Sequence, residues 1–265
     1  MSRVLIILAV VACAIAVPQM AQQREAHPIA VIGIPTEIAP VEARLSGTSE
    51  TRLQGVVFSS GKLDGTAIVT ARAGAGKVNA AIAATLLIDH YSPSAVVFTG
   101  TAGAIDPELN PGDVVIATAV GYHDFGNLTT GGFVRSTTFN TSSGLRDPAF
   151  FPADPALLAA ARRAAASIKF PSARIHEGLI VTGDSFVANP ANREELRREL
   201  KASAVEMEGA AVAQVCVRFG VPFIVIRSIT DHADGAADGS YRQFMPVAAR
   251  NAADLAMAMI HEMGN

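Results

Sequence analysis

Short apolar runs that alternate with longer stretches of helical period constrain this chain more than any other feature. From residue 29 onwards the runs are bounded by Gly, Pro or Asp, and most are rich in Val and Ile without polar alternation. This pattern is typical of an α/β domain whose strands are buried on both faces. We therefore predict strands at residues 29–33, 55–59, 66–71, 95–99, 114–120, 178–182, 203–205 and 223–227.

Five other stretches have apolar residues at the three- and four-residue spacing of helices. Gly220 and Pro222 follow the fourth of them and are typical helix stop signals. The stretch 124–154 is rich in Gly, Thr, Ser and Asn and predicts a long loop that could border a binding site. The predicted helices are 76–90, 155–167, 191–200, 208–219 and 241–263.

The N-terminal segment differs from the rest of the chain. Arg3 precedes an unbroken apolar run of 14 residues, from Val4 to Val17. A helix needs roughly 20 residues to span a bilayer, so this run predicts an export signal rather than a permanent anchor. We expect a signal peptide at residues 1–21, a single domain at 27–265, and an exported protein that is periplasmic or secreted.

Cysteine content and charge limit the compartment and the partners. Only Cys13 and Cys216 are present, and Cys13 lies in the predicted signal, so the processed chain cannot form an internal disulfide. Residues 10–13 also resemble a lipoprotein processing box, which leaves lipid anchoring at Cys13 as an alternative. The net charge of −3 without a Lys/Arg block argues against a nucleic-acid partner and favours a small molecule.

Several familiar motifs are incomplete in this sequence. Residues 74–77, Gly-Ala-Gly-Lys, look like the end of a P-loop, but Ala71 replaces the leading Gly and Val78 replaces the Ser or Thr that would hold magnesium. Asn79 stands where a dinucleotide fingerprint requires its third Gly. The histidines form no HExxH-like spacing, and no G-x-S-x-G elbow is present. We therefore expect no metal site and no serine hydrolase of the α/β-hydrolase type.

Polar residues occur after five of the predicted strands. In open α/β sheets ligands bind beyond the carboxyl ends of the strands, so this is where chemistry is expected. A lone carboxylate after a strand is more often a helix N-cap, but the recurrence at five strands predicts one shared site. The segments are Glu37, 99–103 (Thr-Gly-Thr-Ala-Gly), 183–186 (Gly-Asp-Ser-Phe), 206–208 (Glu-Met-Glu) and 227–231 (Arg-Ser-Ile-Thr-Asp).

Together these segments resemble the nucleoside phosphorylase and nucleosidase superfamily, specifically the 5′-methylthioadenosine/S-adenosylhomocysteine nucleosidases. The resemblance runs from about residue 29 to the C-terminus. It rests on the segments 30–33, 73–81, 99–104, 111–115, 178–186, 205–208 and 227–231, which occur in family order. It implies a single-domain, three-layer α/β fold with a central mixed, mostly parallel sheet flanked by helices. It also implies a purine nucleoside as partner, a homodimer, and neither cofactor nor metal.

The resemblance also implies catalytic roles for three carboxylates. Asp231 would protonate or hydrogen-bond the imidazole-ring nitrogen of the purine, so that the base leaves as a neutral molecule. Glu37 would orient and deprotonate the attacking water. Glu208 would accept hydrogen bonds from the ribose hydroxyls. Such a site combines an acid and a base across a cationic sugar, as glycoside hydrolysis does.

The same resemblance implies further contacts to the substrate. Phe186 and Met207 would line the base and sugar pockets, the backbone of Val187 would read the purine edge, and Thr101 would lie near the ribose and the water. Two more residues complete the substrate-binding set and would support the carboxylates. These are Glu206 and Arg227.

Three activities remain open at this point. The first is hydrolysis of the N-glycosidic bond of an adenine nucleoside such as 5′-methylthioadenosine or S-adenosylhomocysteine. The second is a phosphate-dependent phosphorylase, but its phosphate-binding arginines are replaced here by residues 33–36 and by Phe98, which favours water. The third is a non-catalytic exported nucleoside-binding or storage protein, against which the retention of all three carboxylates argues.

Overall fold

The computed structural model of the protein describes residues 27–264, so the predicted signal peptide and Cys13 lie outside the described residues. Fourteen strands occur in this part of the chain, and ten of them form one sheet. The strands are β1 (Ile29–Gly33), β2 (Ser46–Leu53), β3 (Val56–Leu63), β4 (Thr66–Arg72), β5 (Ala95–Ala104), β6 (Val114–Tyr122), β7 (Gly126–Thr129), β8 (Gly132–Arg135), β9 (Phe139–Asn140), β10 (Leu145–Arg146), β11 (Phe151–Pro152), β12 (Ile175–Thr182), β13 (Ala204–Glu206) and β14 (Phe223–Asp231).

The main sheet is mixed, as predicted. Its order is β11-β6-β12-β13-β5-β1-β4-β3-β2, and β14 pairs with both β5 and β6. Parallel pairs join β1 to β4 and β5, β14 to β5, and β12 to β6 and β13. Because β14 bridges β5 and β6, the strands β5, β14, β6, β12 and β13 close into a ring.

Six helices cover the two faces of the sheet. They are α1 (Pro35–Glu42), α2 (Lys77–Tyr91), α3 (Pro155–Ser167), α4 (Pro190–Leu200), α5 (Gly209–Phe219) and α6 (Ala237–Gly264). Helices α2 and α5 pack together and share one apolar core with the sheet, whereas α1, α3 and α6 share the core on the opposite face. This arrangement confirms the predicted three-layer α/β fold. Within residues 27–264 no helix is long and apolar enough to cross a membrane.

Two strands extend further than predicted, and the difference matters for the site. We predicted that β5 ends at residue 99 and β14 at residue 227, but the strands continue to Ala104 and Asp231. The two strands pair with each other in parallel register, with Arg227 opposite Gly100 and Asp231 opposite Gly103. Both polar segments are therefore strand ends rather than loops, because backbone pairing continues through the buried polar residues.

Other elements were missed by the sequence prediction. Helix α1 has Pro35 in its first turn and Pro40 in its interior, and its eight residues are too few to show a helical period. Strand β2 is exposed at almost every position and therefore lacks an apolar pattern. The prediction of a long irregular loop at 124–154 is wrong in part, because this stretch forms the antiparallel pairs β7-β8 and β9-β10 and the short strand β11.

Candidate active site

Parallel pairing of β14 with β5 brings the ends of these two strands to one edge of the sheet. Asp231 is the last residue of β14, and Thr101 lies near the end of β5. Helix α1 begins two residues after β1, which is another parallel neighbour of β5. The carboxyl ends of parallel strands meet at a common edge, so this topology collects the residues of three separate segments.

Glu37 lies in the first turn of α1 and is buried. Its Oε1 accepts hydrogen bonds from the backbone N–H of Thr101 at 2.8 Å and from the Thr101 hydroxyl at 2.6 Å. Burial raises the pKa of Glu37, and the positive charge of Arg227 and the bonds from Thr101 oppose that rise. A carboxylate with a raised pKa is a stronger base than an exposed one, which suits it to accept a proton.

Gly100 lets two charged groups approach each other beside β5. A Cβ at this position would collide with Nη1 of Arg227 and with Oε2 of Glu37. The space that a side chain would fill is therefore shared by a guanidinium N–H and a carboxylate oxygen. This local geometry explains why glycine is needed here, and it leaves the two groups facing one small volume.

Arg227 and Glu206 form a buried ion pair behind the carboxylates. Nη2 of Arg227 lies 2.6 Å from Oε2 of Glu206, and both side chains are almost fully buried. The guanidinium also lies over the ring of Phe98, 3.9 Å from its centroid. Its Nε and Nη1 have no hydrogen-bond partner within the described part of the chain. Nη1 of Arg227 is thus an unused donor on the side that faces Glu37.

Glu206 is held entirely by the protein. Its Oε1 accepts from the Thr182 hydroxyl, and its Oε2 accepts from the backbone N–H of Gly209 at 2.7 Å and of Glu208 at 3.2 Å, in addition to Arg227. These bonds satisfy the first N–H groups of α5, which lack a side-chain cap at Glu208. Glu206 therefore fixes the start of α5 and the guanidinium, as a supporting residue does.

Glu208 occupies the N-cap position of α5. Its Oε1 accepts a hydrogen bond of 2.7 Å from the backbone N–H of Gly76, and its Oε2 lies 3.9 Å from Nη2 of Arg227. Burial and the nearby charge of Glu206 raise the pKa of Glu208 to about 7, against the opposing effect of Arg227. The Gly-rich turn that lacks the residues of a P-loop therefore has a different role, which is to orient this carboxylate.

A second contact fixes the same turn. The backbone N–H of Lys77 donates to Oδ1 of Asp184 at 2.9 Å, and Nζ of Lys77 lies 2.8 Å from Oδ1 of Asp124. The backbone N–H of Asp184 in turn donates to Asp124. This network ties the turn before α2 to the segment that carries Phe186. The sequence analysis missed Lys77 and Asp124, because no local pattern relates residues that far apart.

Asp231 is buried at the end of β14. Its Oδ1 accepts from the backbone N–H of Ala233 at 2.9 Å, and its Oδ2 accepts from the Thr230 hydroxyl at 2.7 Å. Burial raises the pKa of Asp231, and these two hydrogen bonds oppose the rise. A Cβ on Gly103 would lie 2.9 Å from Oδ1, so glycine is again required beside a site carboxylate. A carboxyl with a raised pKa is suited to hold a proton until a leaving group takes it.

The remaining predicted residues lie around these carboxylates. Met207 is partly buried between Glu206 and Glu208, and Val187 is partly buried against a small apolar cluster that includes Ala233. Phe186 is half exposed and presents its ring for contact.

Tyr241 in the first turns of α6 connects these groups, and the sequence analysis did not identify it. Its ring packs edge to face against that of Phe186, with centroids 6.0 Å apart. Burial and the negative charges of Glu37, Glu208 and Asp231 raise the pKa of Tyr241, so its hydroxyl lies within the electrostatic reach of all three carboxylates. Contacts show how the three predicted acids are related. Arg227 lies between Glu37 and Glu208, and Asp231 lies beside Gly103 of the same strand β5.

The arrangement is suited to acid–base chemistry on a neutral small molecule. It combines an acid with a raised pKa, a second carboxylate beside an unused guanidinium donor, and a third carboxylate at the start of α5. Among residues 27–264, no group of three or more His, Cys, Asp or Glu side chains is arranged to hold a metal ion.

Comparison with known proteins gives consistent matches over most of the chain. The phosphorylase superfamily model matches residues 28–261. A 5′-methylthioadenosine/S-adenosylhomocysteine nucleosidase from Geobacillus kaustophilus is 42% identical over 236 residues, which cover 88% of this chain and 97% of the relative. One from Psychromonas ingrahamii is 39% identical and covers 89% of this chain and 99% of the relative.

Solved structures match to the same extent. The nucleosidase of Neisseria meningitidis in complex with methylthio-immucillin-A has a TM-score of 0.79 and 35% identity, covering 88% of this chain and 98% of that one. The futalosine hydrolase of Helicobacter pylori has a TM-score of 0.79 and 32% identity, covering 89% of this chain and 98% of that one. Two hydrolases with different names are thus similar to this chain to nearly equal degrees.

Proposed function

The chain belongs to the phosphorylase superfamily and, within it, to the 5′-methylthioadenosine/S-adenosylhomocysteine nucleosidases, and on that premise we infer that it hydrolyses the N-glycosidic bond of adenine nucleosides. The products are adenine and the 5′-substituted ribose. The observation that carries this conclusion is the arrangement of three carboxylates along β5 and β14, in a chain 42% identical to such a nucleosidase. Glu37 lies beside Arg227 at Gly100, Glu208 lies 3.9 Å from the same guanidinium, and Asp231 lies beside Gly103.

Asp231 is proposed as the proton donor to the base. Its raised pKa keeps the carboxyl protonated at a higher pH than an exposed aspartic acid. Donation of this proton to the imidazole-ring nitrogen lets adenine leave as a neutral molecule rather than an anion. A placed acid of this kind supplies about 10²–10⁴-fold in rate.

Glu37 and Arg227 are proposed to hold the attacking water. Oε1 of Glu37 is engaged by Thr101, which leaves Oε2 to face the unpartnered Nη1 of Arg227 beside Gly100. A water between these atoms would donate to the carboxylate and accept from the guanidinium. The proton then passes to Glu37 as the C–O bond forms.

Glu208 is proposed to hold the sugar. One of its oxygens is engaged by Gly76, and the other is free to accept from the ribose hydroxyls. The negative charge also stabilises the ring as it gains cationic character in the transition state. The ionised form of Glu208 is therefore the working form.

Water rather than phosphate is the nucleophile that this site favours. The buried guanidinium of Arg227 is already matched by Glu206 at 2.6 Å and lies 3.9 Å from Glu208. An inorganic phosphate dianion entering beside Glu37 would meet additional negative charge without a free cation to balance it.

Adenine release from methylthioadenosine, measured with and without inorganic phosphate, tests the proposed activity. We expect release at the same rate in both conditions. Release that requires phosphate would identify a phosphorylase, and tight binding without release would identify a storage protein. Either result would overturn the hydrolase proposal.

A homodimer is also proposed for this chain. The outer surface of α2 and α5 exposes four large apolar side chains, Val78, Ile82, Val217 and Phe219. Val78 and Phe219 line a groove of about 450 Å³ between the two helices. Contiguous exposed apolar surface is typical of a protein interaction site, which supports this face as the dimer interface.

Export is proposed from the N-terminal sequence alone. The apolar run of residues 4–17 behind Arg3 supports it. Mass spectrometry of the protein from a cell-envelope or culture-supernatant fraction should show a chain that begins near residue 22. A chain that starts at Met1 and is recovered only from the cytoplasm would refute export. Labelling with a radioactive fatty acid separates a lipid anchor at Cys13 from free export.

A further inference from the structure

Two consecutive backbone N–H groups at the start of α2 bind carboxylates from distant parts of the chain. The N–H of Gly76 donates to Oε1 of Glu208 at 2.7 Å, and the N–H of Lys77 donates to Oδ1 of Asp184 at 2.9 Å. Gly76 is the N-cap of α2 and has no side chain to cap the helix, so Asp184 supplies this cap from another segment. Asp184 therefore holds the turn from which Glu208 is held.

Asp184 is itself fixed by two neighbours. Its backbone N–H donates to Oδ2 of Asp124 at 2.8 Å, and its own Oδ2 lies 3.5 Å from Nζ of Lys77. The same ammonium lies 2.8 and 2.9 Å from the two oxygens of Asp124. Gly183 permits this approach, because a Cβ there would collide with His123 and lie 3.0 Å from Cγ of Asp124. Lys77, Asp124 and Asp184 thus form a closed set of contacts.

Capping a helix is a structural role, but this turn also carries the N–H that orients Glu208. Gly76 and Lys77 are consecutive, so rotation of one N–H changes the direction of the other. A Cβ on Gly76 would lie 3.2 Å from Oδ1 of Asp184, which shows how closely the Asp184 carboxylate lies against the turn. With the Lys77 N–H bound only to water, the turn would be free to rotate the Gly76 N–H away from Glu208.

We propose that Asp184 is a positioning residue of the hydrolase, which keeps the Gly76 N–H directed at Glu208 and so keeps the free oxygen of Glu208 directed at the ribose. This inference rests on the proposed function, in which Glu208 holds the sugar, and deepens it. Asp184 acts through Glu208 and needs no contact with the substrate. A carboxylate that is already oriented loses less freedom when it binds the sugar, and this preorganisation favours the reaction.

Two substitutions of Asp184 separate its hydrogen bond from its charge. Asp184→Ala removes the acceptor for the Lys77 N–H, whereas Asp184→Asn retains an oxygen that can accept from it. We expect kcat/KM for methylthioadenosine to fall about tenfold in Asp184→Ala, since one hydrogen bond is worth about a factor of ten, and to return to within about threefold of the wild-type value in Asp184→Asn. The Asp184 side chain is 50% exposed, so neither change opens a cavity in the core and both variants should fold.

A second substitution shows whether the effect passes through Glu208. In Glu208→Ala there is no carboxylate to orient, so adding Asp184→Ala should change kcat/KM by less than about twofold. A tenfold loss that persists in the Glu208→Ala chain would show that Asp184 acts through the fold or the 183–186 segment, and would overturn this inference. Full activity of Asp184→Ala, or equal losses in Asp184→Ala and Asp184→Asn, would overturn it as well.

Asp154→Ala is the matched control. Asp154 caps α3 by accepting from the backbone N–H of Ala156 at 2.9 Å and of Leu157 at 3.1 Å, and α3 lies on the opposite face of the sheet from α2. Its Tm should fall through loss of the cap while its kcat/KM stays unchanged. A loss of kcat/KM equal to that of Asp184→Ala would assign both losses to stability and contradict the positioning role.

The wild-type chain separates this inference from the proposed function. If it releases no adenine from methylthioadenosine, the hydrolase function fails and the role of Asp184 fails with it. If it releases adenine and the Asp184 variants give any of the contrary results above, the inference fails alone and the hydrolase function stands.

Discussion

The role of Asp231 as proton donor can be tested by a substitution that removes its acidic proton and changes little else. Asp231→Asn keeps an oxygen that can accept from Ala233 and keeps the size of the side chain, but it carries no acidic proton. We expect kcat for adenine release to fall by about 10²–10⁴-fold while the nucleoside still binds. Single-turnover kinetics and calorimetric binding measure the two quantities separately.

The control for this substitution is Asp238→Asn. Asp238 is exposed in the first turn of α6 and pairs only with Arg242. It should leave kcat unchanged. A similar loss of kcat in both variants, or full activity in Asp231→Asn, would exclude Asp231 as the proton donor.

Protonation of Glu208 should determine how the catalytic efficiency falls at acidic pH. Its pKa of about 7 lies well above the ordinary value for glutamic acid, and the ionised form is the one proposed to hold the ribose. The catalytic efficiency should therefore fall as the pH is lowered through about 7. Glu208→Gln should lower kcat/KM by about 10–100-fold, because hydrogen bonds to a charged group are replaced by weaker ones.

The same group should make the folded chain less stable as pH rises. Between the unfolded pKa of 4.5 and the folded value of about 7 the native state retains a proton that the unfolded chain has released, so stability is lost across this window. Glu208→Gln stays neutral, and its Tm at pH 8 should exceed that of the wild-type chain by roughly 2–4 °C. Calorimetry at pH 8 and pH 4 should show the difference only at the higher pH. A lower Tm for Glu208→Gln at pH 8 would contradict this account.

At the scale of elements, the sequence predicts the helices and strands that hydrophobic periodicity and composition determine. It misses those that form only through tertiary contacts. Helix α3 was predicted at its observed bounds, because its apolar residues keep helical spacing behind the N-cap Asp154. Helix α1 has no such pattern and forms because Ile38 and Val41 are buried against the sheet. The candidate site shows the same division. Glu37, Glu208 and Asp231 follow from motif order, whereas Tyr241 emerges only when α6 is packed against the sheet.

A buried ion pair joins the hairpin region 124–154 to helix α5. Arg218 in the last turn of α5 contacts Asp147 at 2.7 and 2.6 Å, and the Asp147 side chain is almost fully buried. These bonds and the Thr138 hydroxyl hold the pKa of Asp147 below its ordinary value. Arg218→Met leaves this carboxylate without its cation and should cost about 1–3 kcal/mol in the free energy of unfolding.

Denaturant unfolding and limited proteolysis measure this effect. Cleavage within residues 124–147 should become faster, and adding Asp147→Asn to Arg218→Met should restore part of the stability, since it removes the unpaired charge. Arg242→Met is the matched control, because its partner Asp238 is exposed and such pairs contribute little. Equal stabilities of Arg218→Met and Arg242→Met would show that the ion pair does not anchor the hairpins.

At the scale of the whole molecule, the two helical layers differ in what they leave exposed. Helix α2 contributes Val78, which is 68% exposed, and Ile82 to the outer surface, and Val78 lines one groove together with Phe219 of α5. Their groove also reaches Lys77, whose backbone N–H binds Asp184 in the segment that carries Phe186. A second copy seated on this surface would therefore bury the apolar residues and restrain one wall of the site at the same time.

Ile82→Lys tests this assembly. A charge buried in an apolar interface has no partner, so we expect the variant to be monomeric and the wild-type chain to be the proposed dimer, as size-exclusion chromatography with light scattering would show. Its kcat/KM should fall with dissociation, because the turn before α2 and the 183–186 segment lose their support. Val247→Lys places the same charge on an exposed apolar position of α6, on the opposite layer, and should leave the mass and the activity unchanged. A wild-type chain that is monomeric at micromolar concentration, or an Ile82→Lys variant that remains dimeric, would rule out α2 and α5 as the dimer interface.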